Sequence, residues 1–387
     1  MSSKKTLNTA IFPYSGSLST RGRCDILGAM SLKQNNTGKA FFNLLKATAF
    51  IGIFIFLFVQ LSYCKRDKLS YTRKNLSGFY ALKRNSLDLV FIGTSGTFSS
   101  FIPMQAWKEH GFCSYNFCVN MMGANVIPYA LAEVTKYQKP RLIDIDIYPF
   151  ITGERIGNIG DSYTRYNTDG FRYSLNRFLL IKNEVMKAGD VTESPLTYFI
   201  DLIKWHGNDL SPQNLFCRIP NVDRGYNAMI WGRVAPPRQT AQVKGLEEDL
   251  DSYLKSLLEK CSRLDCQVLF IYYPFADTYK YPDALANVNY IGKTVQEASF
   301  DFKNFCAEWE SFALDVDRDY WDPAHFNIYG AEKVTARVAG YLEETYSLPD
   351  HRGEKAYRSW NTDLEEWQAH EAEYKADIDG RIMSGMQ

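Results

Sequence analysis

Between Lys46 and Lys65 the chain runs through 18 residues without a charge, Ala47 to Cys64, with AFIGIFIFLFVQ at their heart. No other feature narrows the folding options so far. As a helix rising about 1.5 Å per residue, the stretch just reaches across a hydrocarbon layer about 30 Å thick. A buried core helix or an uncleaved signal segment would share this composition. A cleavable signal is disfavoured, because some forty residues precede the stretch and no small-x-small site follows it. The expectation is a single membrane anchor. The flanking charge does not orient it. Downstream lie Lys65, Arg66, Lys68, Arg73, Lys74, Lys83 and Arg84; upstream only Lys33, Lys39 and Lys46 are near, with Lys4, Lys5, Arg21 and Arg23 further off. Counted alone, the positive-inside rule would keep the large domain cytoplasmic, yet long domains translocate despite such charge.

The remainder has the make-up of a globular protein. Of 387 residues, 45% are hydrophobic and 15% aromatic, enough for one sizeable core with appendages. Lys plus Arg and Asp plus Glu number 44 each, so no net field recruits nucleic acid. There is no glycine-rich phosphate loop, no zinc-type Cys/His spacing and no repeat. Of eight cysteines, Cys113/Cys118 and Cys261/Cys266 are each five apart, and small buried hydrophobes are the expected role ahead of disulfides.

After the anchor, a polar, basic connector over 65–85 precedes a βα alternation. Strands are predicted at Leu87 to Gly93, Tyr115 to Val119 and Leu142 to Ile147, with helices at Pro103 to His110 and Ala124 to Tyr137. Residues 150 to about 240 are aromatic-rich and predicted mostly helical, with Asp169 to Met186 and Pro195 to Trp205 as candidates. They form an insertion roofing the sheet. The alternation resumes with a helix from Leu246 to Lys260 and a strand from Val268 to Tyr272. Ala313 to Val316 is the expected last strand and Gly330 to Tyr346 the closing helix. In the tail, Trp360, Leu364, Trp367, Tyr374 and Ile378 mark an amphipathic helix with Thr362 and Glu365 as a capping box. The expected organisation is an N-terminal segment 1–46, a transmembrane helix 47–64, a linker 65–85, an α/β domain 86–348 and a tail 349–387. The fold class is a three-layer αβα, flavodoxin-like parallel sheet with a helical insertion and one transmembrane helix.

Two short motifs carry chemistry. Gly93-Thr94-Ser95-Gly96 closes the first strand, and open parallel sheets bind ligands beyond their carboxyl strand ends. Asp322-Pro323-Ala324-His325 lies just before the last helix, where a carboxylate and an imidazole three apart can share one face. Each has a plainer reading: Ser95 as a turn or N-cap serine, Asp322 as the cap of the final helix, and His325 as structural. Together they supply a nucleophile, a base and an orienter.

On these residues the chain resembles the SGNH (GDSL-type) hydrolase superfamily, whose opening block matches Gly93-Thr94-Ser95 and whose closing D-x-x-H matches Asp322 and His325. FIGTSGTFSSF, SYNF, KYQKPRLIDIDIYPF, WHGND, DRGY, DPAHFNIYGAEKVT and LPDHRG are similar to a membrane-anchored Gram-positive branch, that of the D-alanyl transfer protein of teichoic acid synthesis. The resemblance covers about residues 85 to 365. It implies a Ser95–His325–Asp322 triad, an oxyanion hole from the Ser95 amide with Gly123 and Asn120, and an extracytoplasmic domain, so that 1–46 is cytoplasmic. Met121, by ungapped spacing from Asn116, and Asn125 are further candidates for that hole. The chain departs from the family where Asp146-Ile147-Tyr148-Pro149 replaces Gly-x-Asn-Asp, and where Gly96 stands in a position that often holds histidine.

The implied function is a membrane-anchored serine esterase or O-acyltransferase on cell-envelope glycopolymers. Its substrate would be an acylated polysaccharide or a lipid-linked species, its partner a membrane-bound O-acyltransferase, with no cofactor, metal or nucleic acid. The alternative is a scaffold with a decayed site. A metal-dependent hydrolase would need Asp322 and His325 joined by Asp144, Asp146 or Asp277.

Overall fold

The computed structural model describes residues 22–66, 71–276 and 280–385. Lys4, Lys5, Arg21, Lys68 and Asp277 lie outside them. The chain divides into two compact units, residues 1–58 and 59–387.

The described residues of the first unit belong to one long helix, α1 (Gly22–Lys65), whose stretch of 29 residues from Thr37 to Lys65 is long and apolar enough to cross a membrane. Phe41, Phe50, Ile53 and Phe54 stand exposed along it. A helix apolar all round has no polar face to turn to water.

The second unit is built on five parallel strands: β1 (Leu89–Gly93), β2 (Ser114–Cys118), β3 (Leu142–Asp146), β4 (Gln267–Tyr272) and β5 (Asp301–Asn304). Their order is β2-β1-β3-β4-β5. The first four are buried almost throughout, which accounts for their near-continuous apolar runs. The helices of this unit that precede β4 are α2 (Tyr71–Ala81), α3 (Ser95–Ser100), α4 (Pro103–His110), α5 (Ile127–Tyr137), α6 (Tyr148–Thr152), α7 (Gly160–Asp169), α8 (Leu175–Asn183), α9 (Pro195–Phe199), α10 (Leu202–Trp205) and α11 (Glu248–Cys261). After β4 come α12 (Ala284–Glu297), α13 (Ile328–Tyr346) and α14 (Arg358–Ser384), with a small hairpin, β6 (Tyr320–Asp322) and β7 (His325–Phe326), ahead of α13. Helices α4, α13 and α14 pack together, and α5 packs against α11. This is the flavodoxin-like α/β arrangement. The order turns back at β1, whose neighbours β2 and β3 lie on opposite sides, and such a switch point opens a crevice at the carboxyl strand ends.

Several expectations need correction. The last strand of the parallel sheet is Asp301–Asn304, whereas Ala313 adopts a left-handed turn at φ 49°. The sequence DFKN offers no apolar run because β5 is a half-exposed edge, buried on neither face. The supposed connector contains α2, which sends Leu76, Phe79 and Tyr80 into the core. The helix expected from Asp169 to Met186 is broken at Gly170, where a Cβ would come within 2.6 Å of Leu76, and restarts under the cap Ser174. Thr362 lies inside α14 rather than capping it, since the helix already begins at Arg358. Residues 218–247 hold no helix and form an extended strap with a bridge from Gly232 to Tyr320.

Candidate active site

At Gly93 the first strand has no room for a side chain: a Cβ would lie 2.1 Å from Thr97 Oγ1 and 2.8 Å from Asp146 Cβ. The chain turns there, and Thr94 rather than Ser95 caps α3, its hydroxyl accepting from the Gly96 amide at 3.2 Å. Ser95 is thereby the first residue of the helix, half-exposed at the crevice, with its own N–H among those a first turn leaves unpaired. Gly96 is also sterically fixed. A Cβ there would meet Phe275 at 2.9 Å and the Ala324 carbonyl at 3.1 Å, which explains why no histidine occupies this position.

The Asp-His pair does not sit on the head of the final helix. It lies on the β6–β7 hairpin, and Asn327 caps α13 by accepting from the Tyr329 and Gly330 amides at 3.0 and 3.4 Å. In the turn, Asp322 Oδ1 accepts from the Ala324 amide at 2.9 Å and pairs with His325 Nδ1 at 2.7 Å. The other ring nitrogen, Nε2, is 2.7 Å from Ser95 Oγ, across 230 residues of sequence. A carboxylate only accepts, so Nδ1 carries the proton and Nε2 is left to receive one from the serine. Burial opposes the charge on Asp322, but the hydrogen bond and charge of His325, with the Ala324 and His325 amides, hold its carboxyl below the ordinary range.

Two residues that sequence reasoning did not single out, Trp321 and Glu154, border the site, together with Asp146, which it named only as a metal-ligand candidate. Trp321 is 39% exposed, its ring tilted over His325 with centroids 5.2 Å apart. Its backbone is pressed by Gly232, where a Cβ would come within 1.9 Å of the Trp321 carbonyl. Asp146 ends β3 and ties down the turn at Ser95: its carboxylate accepts from Thr97 Oγ1 at 2.7 Å and from the Tyr148 amide at 2.9 Å. Burial pushes it up to about 6 against these bonds. Glu154 is pushed up to about 7 by burial, which the charges of Lys280 and His325 and a bond from Thr152 offset in part. Asp144 lies on the same face of β3 as Asp146. Neither of its oxygens has a hydrogen-bond partner, and burial followed by the charge of Asp146 favours its neutral acid. No sequence signal distinguished Glu154 or Trp321; their roles depend on which loops meet here.

The candidate oxyanion donors divide. Gly123 is taken, since its amide donates to Asn167 Oδ1 at 3.2 Å. Asn125 is structural, its side chain bonded to Ile156 and Glu184. The Val119 amide donates to the Gly93 carbonyl at 3.2 Å, which carries the turn at Asn120 and Met121 alongside Thr94 and Ser95. Met121 adopts a left-handed φ of 47°, a conformation that favours glycine.

Beside the hairpin opens a cleft of about 380 Å³, with Tyr272, Phe275, Tyr281 and Leu285 among its apolar lining and Arg238, Gln242 and Asp283 among its polar groups. The Ala276 amide donates to the Pro323 carbonyl at 2.9 Å, joining this wall to the Asp322–His325 turn. The seven cysteines from Cys64 to Cys306 are free; burial pushes Cys306, at the cleft, up to about 12, so it offers no thiolate. Among the described residues no cluster of three or more His, Cys, Asp or Glu side chains is arranged to hold a metal.

Fold and site together describe a doubly wound α/β domain with a Ser-His-Asp hydrogen-bond chain at its switch point. No family model matches the chain, and no curated protein does. Two solved structures are similar to it at low TM-score. One is a gut microbial diltiazem-metabolizing enzyme, 10% identical, with a TM-score of 0.34, covering 68% of this chain and 49% of that one. The other is an active-site mutant of a family two carbohydrate esterase from Clostridium thermocellum, 10% identical, with a TM-score of 0.29, covering 69% and 66%. The chain thus spans about half the length of the first and about two thirds of the second.

Proposed function

We propose that this protein is a membrane-tethered serine esterase or O-acyltransferase acting on acylated cell-envelope glycopolymers of the teichoic-acid kind. The observation that carries the reading is the unbroken Ser95–His325–Asp322 chain, with both links at 2.7 Å. Ser95 Oγ attacks the ester carbonyl while His325 Nε2 takes its proton. The tetrahedral intermediate collapses as His325 returns that proton to the departing alcohol oxygen, leaving an acyl-Ser95 ester. Water or a sugar or polyol hydroxyl then attacks, giving its proton to His325, and the acyl group leaves on the new oxygen as Ser95 is reprotonated. Asp322 keeps the ring in its productive tautomer and stabilises the imidazolium. The Ser95 amide and the Asn120–Met121 turn supply the oxyanion donors, one of which is typically worth about 3 kcal/mol.

The substrate class is supported by the exposed Trp321 beside His325, a flat apolar face suited to a sugar ring, and by a cleft mixing aromatic with amide and charged groups. The α1 helix supports the tether, and the domain is proposed to face outward with a membrane-bound O-acyltransferase as partner. A fluorophosphonate probe tests the chemistry: it should label the wild-type chain at Ser95 and leave Ser95→Ala unlabelled. An accessible serine that resists the probe would refute the catalytic reading.

A further inference from the structure

Beyond Leu61, the exposed large apolar side chains of the described residues are concentrated in one stretch. All but Val243, Trp321 and Met383 fall between residues 163 and 216, within the helical insertion. Leu175, Phe178 and Leu179 recur at i, i+3 and i+4, so they share one face of α8, and they are 72%, 46% and 36% exposed. The Phe178 ring packs on Phe199 at 5.2 Å, extending this face to α9, where Leu196 is exposed as well. Leu215 and Phe216 are exposed on the loop that follows α10, and Arg172 at the foot of α8 donates to the Phe216 carbonyl at 2.6 Å. A concentration of exposed apolar side chains of this kind marks a contact site.

Its position indicates what it contacts. The same insertion is fastened to the last turns of the apolar helix. The Ser211 amide donates to the Cys64 carbonyl at 2.8 Å, Asn208 Nδ2 to the Lys65 carbonyl at 3.1 Å, and the Phe216 amide to Gln60 Oε1 at 2.7 Å. The Tyr173 amide donates to the Tyr63 hydroxyl at 3.0 Å, and Arg66 forms a buried ion pair with Asp201 at 2.6 Å. Residues 60–66 are where the uncharged stretch gives way to Lys65 and Arg66, the level at which a spanning helix meets lipid headgroups. Lys182, Lys187 and Arg218 stand exposed in and just after the insertion's helices, the basic company that favours an anionic surface.

We infer that the helical insertion docks on the lipid bilayer, with α8, Leu196 and the Leu215–Phe216 loop placing their apolar side chains in the interfacial layer. This rests on α1 being a membrane span. The domain is then held at two points, by its helix and by its insertion, which fixes the tilt of the crevice against the membrane.

The test uses the full chain in nanodiscs of phosphatidylcholine and phosphatidylglycerol containing a lipid with a diazirine in its acyl chain. After irradiation, adducts are mapped by peptide mass spectrometry. Adducts are expected in 37–65 and also in peptides spanning 175–186 and 210–216. In a Phe178→Asp, Leu179→Asp variant, those on α8 should fall at least about five-fold, with span labelling and thermal unfolding unchanged. Labelling of the span without the insertion overturns the docking and leaves the anchor standing; it is also the outcome if the face serves a protein partner. Undiminished α8 labelling in the variant overturns it too. A chain labelled nowhere refutes the span and the docking together.

Discussion

In the proposed mechanism Ser95 is activated only while His325 presents Nε2 to it, and that depends on Asp322 claiming Nδ1. Asp322→Asn would keep the shape but donate where it should accept, turning the imidazole to the wrong tautomer. Turnover of a chromogenic ester should drop by about 10⁴-fold, as tautomer loss does in serine hydrolases, with circular dichroism unaltered; a drop under ten-fold would argue against the role. Asp146 and Glu154 predict a pH effect on stability. Burial lifts them to about 6 and about 7, above their ordinary 3.8 and 4.5. A carboxyl that holds its proton more tightly when folded stabilises the native state at acid pH. That stability is present below the unfolded pKa and is lost as pH rises through the folded one. Urea midpoints should therefore decline between about pH 4 and pH 7, with Asp146 contributing on the order of 3 kcal/mol. Asp146→Asn, which still accepts from Thr97, should flatten that decline. Gly93, Ser95, Asp322 and His325 were visible in sequence because strand end and turn chemistry advertise them. Asp146 and Asp144 were weighed there only as metal ligands, because an acid inside LIDID gives no local sign that it would brace the turn at Ser95.

The elements differ in how much of themselves they show. Strands β1, β3 and β4 announce themselves by apolar runs, since helices cover both faces of the sheet. The edge strand β5 does not, because half of it faces water, and α2 is concealed by its basic residues although its other face is core. Helix α13 positions the hairpin through its cap. Asn327 serves the first turn with Oδ1, while Nδ2 donates to the Arg318 carbonyl at 2.5 Å. Asn327→Ala should cost about 2 kcal/mol, read as a melting temperature lower by several degrees. Activity should fall as well, because His325 sits two residues before the cap. A variant with unchanged melting would show that the cap is dispensable.

On the scale of the molecule, the apolar helix and the crevice at Ser95 make separate demands. If α1 spans a membrane, alkaline carbonate should leave the full chain in the membrane pellet, and protease protection should decide which side the α/β domain occupies. Release by carbonate would make the helix a surface element instead. The two-point attachment inferred above rests on residues 60–66, which belong to the domain and are bonded into its insertion.

Local pattern determined the α/β alternation, the apolar span, the serine at the first strand end and the Asp-His pair, because each depends on neighbours within a few residues. Tertiary structure alone decided that a hydroxyl and an imidazole 230 residues apart meet at 2.7 Å. It also decided that Asn327 rather than Asp322 caps the last helix, that Gly123 spends its amide on Asn167, and that Glu154 and Trp321 border the crevice. Those outcomes turn on strand order and on which loops share the carboxyl edge of the sheet, and no run of adjacent residues encodes either.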